Sequence, residues 1–178
     1  DTARSRGLGD VYKRQQFLSS VRQGIQNQPG QIMLTEGIKQ GYLQQSELRS
    51  REQGLTLTQS QPEQGVPAYL FETTSEQWRR NPQWQEEIFG PQSIIVKCES
   101  AEDMLELSQN LAGSLTATIQ AEEADYALAA TLVTELEEVA GRLVFNGWPT
   151  GVEVSYAMVH GGPYPASSDS RFSAVGVN

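Results

Sequence analysis

A chain of 178 residues suits one domain of ordinary size, and 13 Lys and Arg against 22 Asp and Glu leave it at a net charge of −9. An acidic chain without a basic block is unsuited to nucleic acid or anionic membranes, and nowhere do the ~18 apolar residues of a membrane-spanning helix run together. The single cysteine, Cys98, excludes an internal disulfide framework and any multi-cysteine zinc site; no metal site is expected. The opening residues contain no apolar stretch of a secretory signal, so a cytoplasmic α/β protein is the expectation.

The first fifteen residues, DTARSRGLGDVYKRQ, differ in composition from the rest of the chain. Four basic residues (Arg4, Arg6, Lys13, Arg14) against two acids give them a charge of +2 and leave −11 on the other 163. The string Gly-Asp-Val-Tyr-Lys-Arg-Gln resembles translated sequencing-adaptor read-through. Residues 1–15 are therefore expected to be non-native and poorly ordered, and residues 16–178 to form the folded portion. From residue 16 the chain is glutamine-rich. Phe17, Leu18, Val21 and Ile25 recur at helical spacing, as do Leu34, Ile38 and Tyr42, which predicts two amphipathic helices separated at Pro29-Gly30. Residues 54–65 lack periodicity and contain Pro62, so they read as a loop. Pro67 to Thr73 is aromatic and β-branched enough for a strand.

After Glu86 strands and helices alternate. Ile94-Ile95-Val96 is the short apolar run of a strand covered on both faces. Ser100 and Asp103 open a helix whose face is Met104, Leu107 and Leu111. Leu115, Ala117 and Ile119 alternate with threonines as a second strand. A helix from about Ala121 comes next, with Leu128, Leu132, Leu136 and Val139 on one face and Gly141 as its stop, before a third strand at Leu143–Phe145. This β-α-β-α-β order predicts parallel pairing. Residues 147–178 are rich in glycine and proline, and such a stretch beside regular elements more often carries function than not.

Three features bear chemistry. Glu86-Glu87-Ile88-Phe89-Gly90-Pro91 places two carboxylates and an aromatic on a turn before a buried strand, either as surface acids or as a ligand contact. Cys98 comes just after the apolar run, beside Glu99 and with Lys97 expected on the opposite face. Nothing there lowers a thiol pKa, so the expectation is a buried, inert strand residue. His160, the only histidine, lies in Val-His-Gly-Gly-Pro-Tyr-Pro; it serves as a packed group or, with glycines alongside, faces a substrate. A Cys98/His160 hydrolase would need those side chains within hydrogen-bond reach.

Together, EEIFGP, the alternating elements after it, and the tail NGWPTGVEV…MVHGGPYPASSDSR resemble the C-terminal third of the aldehyde dehydrogenase family, strongly from Pro67 onward. The tail is most similar to the branch acting on α-ketoglutaric semialdehyde (2,5-dioxovalerate), with the NADP-preferring fatty aldehyde dehydrogenases as the near competitor. A non-catalytic α/β binding module is the alternative from another class. The resemblance implies NAD or NADP as cofactor, a small-molecule aldehyde as substrate, and a homo-oligomeric parent enzyme. It makes Glu87 the carboxylate that binds the nicotinamide ribose hydroxyls and Phe89 the ring packed against that ribose and the nicotinamide. It makes Thr150, Gly151, Val152 and His160 the aldehyde-facing residues. The family's nucleophilic cysteine, general-base glutamate, oxyanion-binding asparagine and nucleotide domain precede the matched portion. On the resemblance, no catalytic residue is expected within residues 16–178, which read as a piece cut at both ends and inactive alone. Cys98 lies after EEIFGP, where the family's nucleophile comes before it.

Overall fold

A computed structural model describes residues 2–149 and 161–167, which divide into two units at Lys97 and Cys98. The architecture is mixed α/β with parallel strand pairs. In the first unit, helices α1 (Thr2–Gln26) and α2 (Glu36–Ser50) precede strand β1 (Thr56–Gln59) and strand β2 (Tyr69–Thr74). Helix α3 (Ser75–Arg80), a 3-10 turn at Pro82–Gln85 and strand β3 (Gln92–Lys97) complete it. Helix α1 crosses residue 15 without interruption, with Tyr12 exposed along it. Of the apolar face predicted for this helix, Leu18 is buried and Phe17 is exposed. Helix α2 starts later than the spacing suggested. Thr35 caps it by accepting from the Ile38 amide, which leaves Leu34 before the cap and exposed.

β2 is the middle strand of three. It runs antiparallel to β1, with Gln59 opposite Tyr69, and parallel to β3, with Tyr69 opposite Gln92 and Thr74 opposite Lys97. β1 falls in the stretch read as loop. Its four residues, Thr-Leu-Thr-Gln, are too short to show a period, and pairing with β2 makes them a strand. Leu70, Phe71, Glu72 and Thr73 are all buried, whereas Ile94, Ile95 and Val96 are half-buried rather than covered on both faces. Tyr69 stacks on Phe71, and Tyr42 of α2 meets Tyr69 edge-on at 5.9 Å. Glu72 is 1% exposed and accepts from Arg22 Nε and Nη2 at 2.6 and 2.8 Å. That bidentate pair ties α1 to β2, with Lys97 Nζ 3.9 Å away.

Burial pushes the hydroxyls of Tyr42 and Tyr69 above their ordinary range. A raised phenol pKa favours the neutral group in the folded state. This stability is therefore fully present below the unfolded value of about 10 and is lost as pH climbs toward the folded one. Urea stability measured from pH 8 to 12 is expected to fall above about pH 10, and to fall less steeply in Tyr42→Phe. Parallel curves for the two proteins would show that Tyr42 ionisation does not drive the loss.

The second unit contains helix α4 (Ala101–Ser108), strand β4 (Ala117–Ile119), helix α5 (Tyr126–Leu136) and strand β5 (Leu143–Phe145), with a 3-10 turn at Glu123–Asp125 leading into α5. Ser100 caps α4 by accepting from the Asp103 amide, and Asp103 accepts from Glu99 N in return, as the spacing predicted. β4 and β5 pair in parallel with Ala117 opposite Leu143 and Ile119 opposite Phe145. Ile119, Ala129, Leu132 and Leu136 form the core, with Leu105, Leu111, Leu128 and Val139 packed against it. Leu105 thus takes the core position predicted for Met104, which is exposed. The parallel strands expected in series are hydrogen-bonded in two sheets, β3 with β2 and β4 with β5. Gly141 is not the helix stop, because α5 ends at Leu136 with Glu137 as its cap. A side chain at Gly141 would instead collide with the main chain of Gly161.

Candidate functional site

Glu87 and Phe89 sit on the turn between the 3-10 segment and β3, and both side chains point outward: Phe89 is 66% exposed and Glu87 is exposed. The turn projects because both of its ends are held. On the near end, Trp84 is buried and its Nε1 donates to Glu52 Oε2. Arg49 is 7% exposed and its Nη2 lies 3.4 Å from Gln83 O and 3.3 Å from Glu86 O. On the far end, the Tyr42 hydroxyl lies 2.8 Å from Pro67 O and 3.0 Å from Pro91 O, and its single proton serves one or the other. Ser46 Oγ donates to Gln92 Oε1 at 3.0 Å. The Gln92 amide closes back on Gly90 O at 2.8 Å. At Gly90 a side chain would enter the Tyr42 ring, so glycine there lets the turn lie flat against α2.

The carboxylate of Glu87 has no hydrogen-bond partner among the described residues, so both oxygens can accept. A vicinal diol offers two donors at matching spacing, and the exposed Phe89 ring two residues on offers an apolar face to a flat heterocycle. Together these two side chains could hold a ligand that carries a diol beside a flat ring. Burial lowers the Arg49 pKa from its ordinary value, opposed by the charges of Glu52 and Glu86, yet a guanidinium stays protonated throughout the working range.

In the second unit the segment leading to the predicted aldehyde-facing residues is anchored by Asn146. Its backbone takes a left-handed conformation, φ 50°, which asparagine tolerates. Its Oδ1 accepts from Ala121 N at 2.9 Å and its Nδ2 donates to Ala121 O at 3.0 Å, so the side chain substitutes for one more strand residue. Gln120 Nε2 donates to Gly147 O at 2.7 Å, and the next residue, Trp148, is 83% exposed. Thr150, Gly151, Val152 and His160 lie outside the described residues. Cys98 comes directly after the last residue of β3 and is half-buried, not a buried strand residue as expected.

Sequence reasoning found the turn and missed the side chains that hold it. It places Tyr42 on an apolar face and does not single out Ser46 or Arg49. The signal was available: 42, 46 and 49 recur at i, i+4 and i+7, one side of a helix. Polar residues at that spacing are ordinarily read as solvent-facing.

Among the described residues no helix is long and apolar enough to cross a membrane, and no cluster of His, Cys, Asp and Glu could hold a metal ion. No family model matches the chain. Over 166 residues, 90% of this chain, it is 42% identical to an α-ketoglutaric semialdehyde dehydrogenase of Acinetobacter baylyi. Over 164 residues it is 37% identical to α-ketoglutaric semialdehyde dehydrogenase 2 of Azospirillum brasilense. The chain spans about a third of the length of these relatives, 32% and 31%. In structure it is similar to the Δ-pyrroline-5-carboxylate dehydrogenase of Mycobacterium tuberculosis bound with NAD. That match has a TM-score of 0.56 at 20% identity and covers 78% of this chain and 24% of that one. A second structure of that enzyme matches with a TM-score of 0.53 at 19% identity, over 69% of this chain and 23% of its own. At that identity the likeness is one of fold.

Proposed function

We propose, given that this chain belongs to the aldehyde dehydrogenase family, that it is part of an NAD(P)-dependent enzyme oxidising α-ketoglutaric semialdehyde to 2-oxoglutarate. The observation that carries this reading is 42% identity to an α-ketoglutaric semialdehyde dehydrogenase along 90% of the chain. The outward-facing Glu87 and Phe89 support it from the structure.

In this reading Glu87 accepts two hydrogen bonds from the ribose hydroxyls and Phe89 packs against the sugar and the ring. A nicotinamide nucleotide bound there supplies the hydride acceptor. The chain's own contribution is to fix where that acceptor lies, because positional freedom at the reacting centre is what slows such a transfer. Thr150, Gly151, Val152 and His160 line the aldehyde's approach. The enzyme is a cytoplasmic homo-oligomer.

The test is an assay of the complete enzyme with NAD and NADP against α-ketoglutaric semialdehyde, succinic semialdehyde and long-chain aldehydes. Formation of 2-oxoglutarate with kcat/KM at least about tenfold above the long-chain aldehydes is expected, since a pocket built for a polar acid rejects an apolar chain strongly. Preference for long-chain aldehydes would make it a fatty aldehyde dehydrogenase. No nucleotide reduction with any aldehyde would leave a binding module.

A further inference from the structure

We propose that Arg49 is a positioning residue for the nucleotide contact at Glu87, an inference that rests on Glu87 and Phe89 being that contact. Tyr42, Ser46 and Arg49 are buried on one side of α2; Ser46 and Arg49 end on residues 83–92, and the Tyr42 hydroxyl lies between Pro91 O and Pro67 O. Arg49 has the central place among them. Its Nη2 reaches the carbonyls of Gln83 and Glu86 together, spanning the 3-10 turn. The Glu86 carbonyl belongs to the same rigid peptide plane as the Glu87 amide. Holding that oxygen fixes the plane from which the Glu87 side chain departs.

Stability alone does not account for an arginine here. Its hydrogen bonds go to main-chain carbonyls, and burying an arginine to 7% exposure costs hydration. An apolar side chain of similar volume would serve packing as well or better. What the guanidinium adds is geometry: the two N–H bonds of Nη2, fixed in one plane, reach two acceptors at a set separation. Between the Glu86 carbonyl reached by Arg49 and the Pro91 carbonyl beside the Tyr42 hydroxyl, only Glu87, Ile88, Phe89 and Gly90 are left as a crest. Two of those four are the residues read as touching the nucleotide.

The experiment compares wild type, Arg49→Gln, Arg49→Lys and Glu87→Gln in the complete enzyme, with two readouts besides turnover. Hydrogen exchange of the Glu87 and Phe89 amides is measured without nucleotide, and NADH and NADPH affinity is titrated by fluorescence. Arg49→Gln is expected to speed exchange at the crest and weaken nucleotide binding, each by about tenfold, because it loses two charge-assisted bonds. The amides of β2 and the aldehyde KM should stay within about twofold, within the scatter of an uninvolved site. Arg49→Lys, which can reach one carbonyl, should fall between; it also carries the test if Arg49→Gln does not fold. Unchanged exchange and affinity in a folded Arg49 variant, while Glu87→Gln binds nucleotide more weakly, would overturn the positioning role and leave the reading of the turn intact. A Glu87→Gln enzyme with unaltered affinity and hydride transfer would overturn the reading of the turn itself, and the positioning role with it.

Discussion

Trp84→Ala is expected to destabilise the first unit by about 3–5 kcal/mol, the range for removing a fully buried aromatic side chain. Trp84 is 2% exposed, and its indole nitrogen donates to the Glu52 carboxylate. The substitution opens a cavity and also removes the donor from Glu52, in the turn just past α2. The 3-10 turn at Pro82–Gln85 has no side-chain hydrogen bond at its N-cap, so the packed indole seats it together with Arg49. Urea unfolding of the chain, read through exchange of the β2 amides, measures the loss within the first unit. Trp148, 83% exposed, is the matched control: Trp148→Ala should change stability by no more than ~0.5 kcal/mol. Similar losses for the two variants would mean that indole burial does not seat the turn.

Glu87→Gln in the complete enzyme is expected to slow hydride transfer by roughly one to two decades. Replacing the carboxylate by an amide loses charge-assisted hydrogen bonds worth about 1.5–3 kcal/mol, and one of the two acceptors becomes a donor. The aldehyde addition that precedes transfer should proceed at its normal rate, since Glu87 touches neither the nucleophile nor the aldehyde in this reading. Single-turnover kinetics separates the two phases. An unchanged rate of nucleotide reduction under conditions where transfer limits turnover would remove Glu87 from the reaction. A loss confined to the addition phase would point to a substrate role instead.

Where the chain's instructions are local, they were legible without coordinates. The α4 start at Ser100 and Asp103, the α5 face of Leu132 and Leu136, and β5 at Leu143–Phe145 each rest on a period or a cap contained within about ten residues. The EEIFGP turn was likewise visible, because glycine, proline and paired acids before an apolar run form a local signature. Tertiary structure decided the rest. A four-residue strand such as β1 exists because β2 offers it hydrogen bonds, and the choice of β2 as partner for β3 is a choice among distant segments. Gly141 shows the same dependence, since its need for a bare Cα comes from a backbone twenty residues away. The polar side of α2 is the largest such decision. Ser46 and Arg49 look like surface in sequence because polar groups ordinarily seek water. They are buried because the carbonyls and the side chain of residues 83–92 replace that water, and no local pattern can announce a partner found some forty residues later.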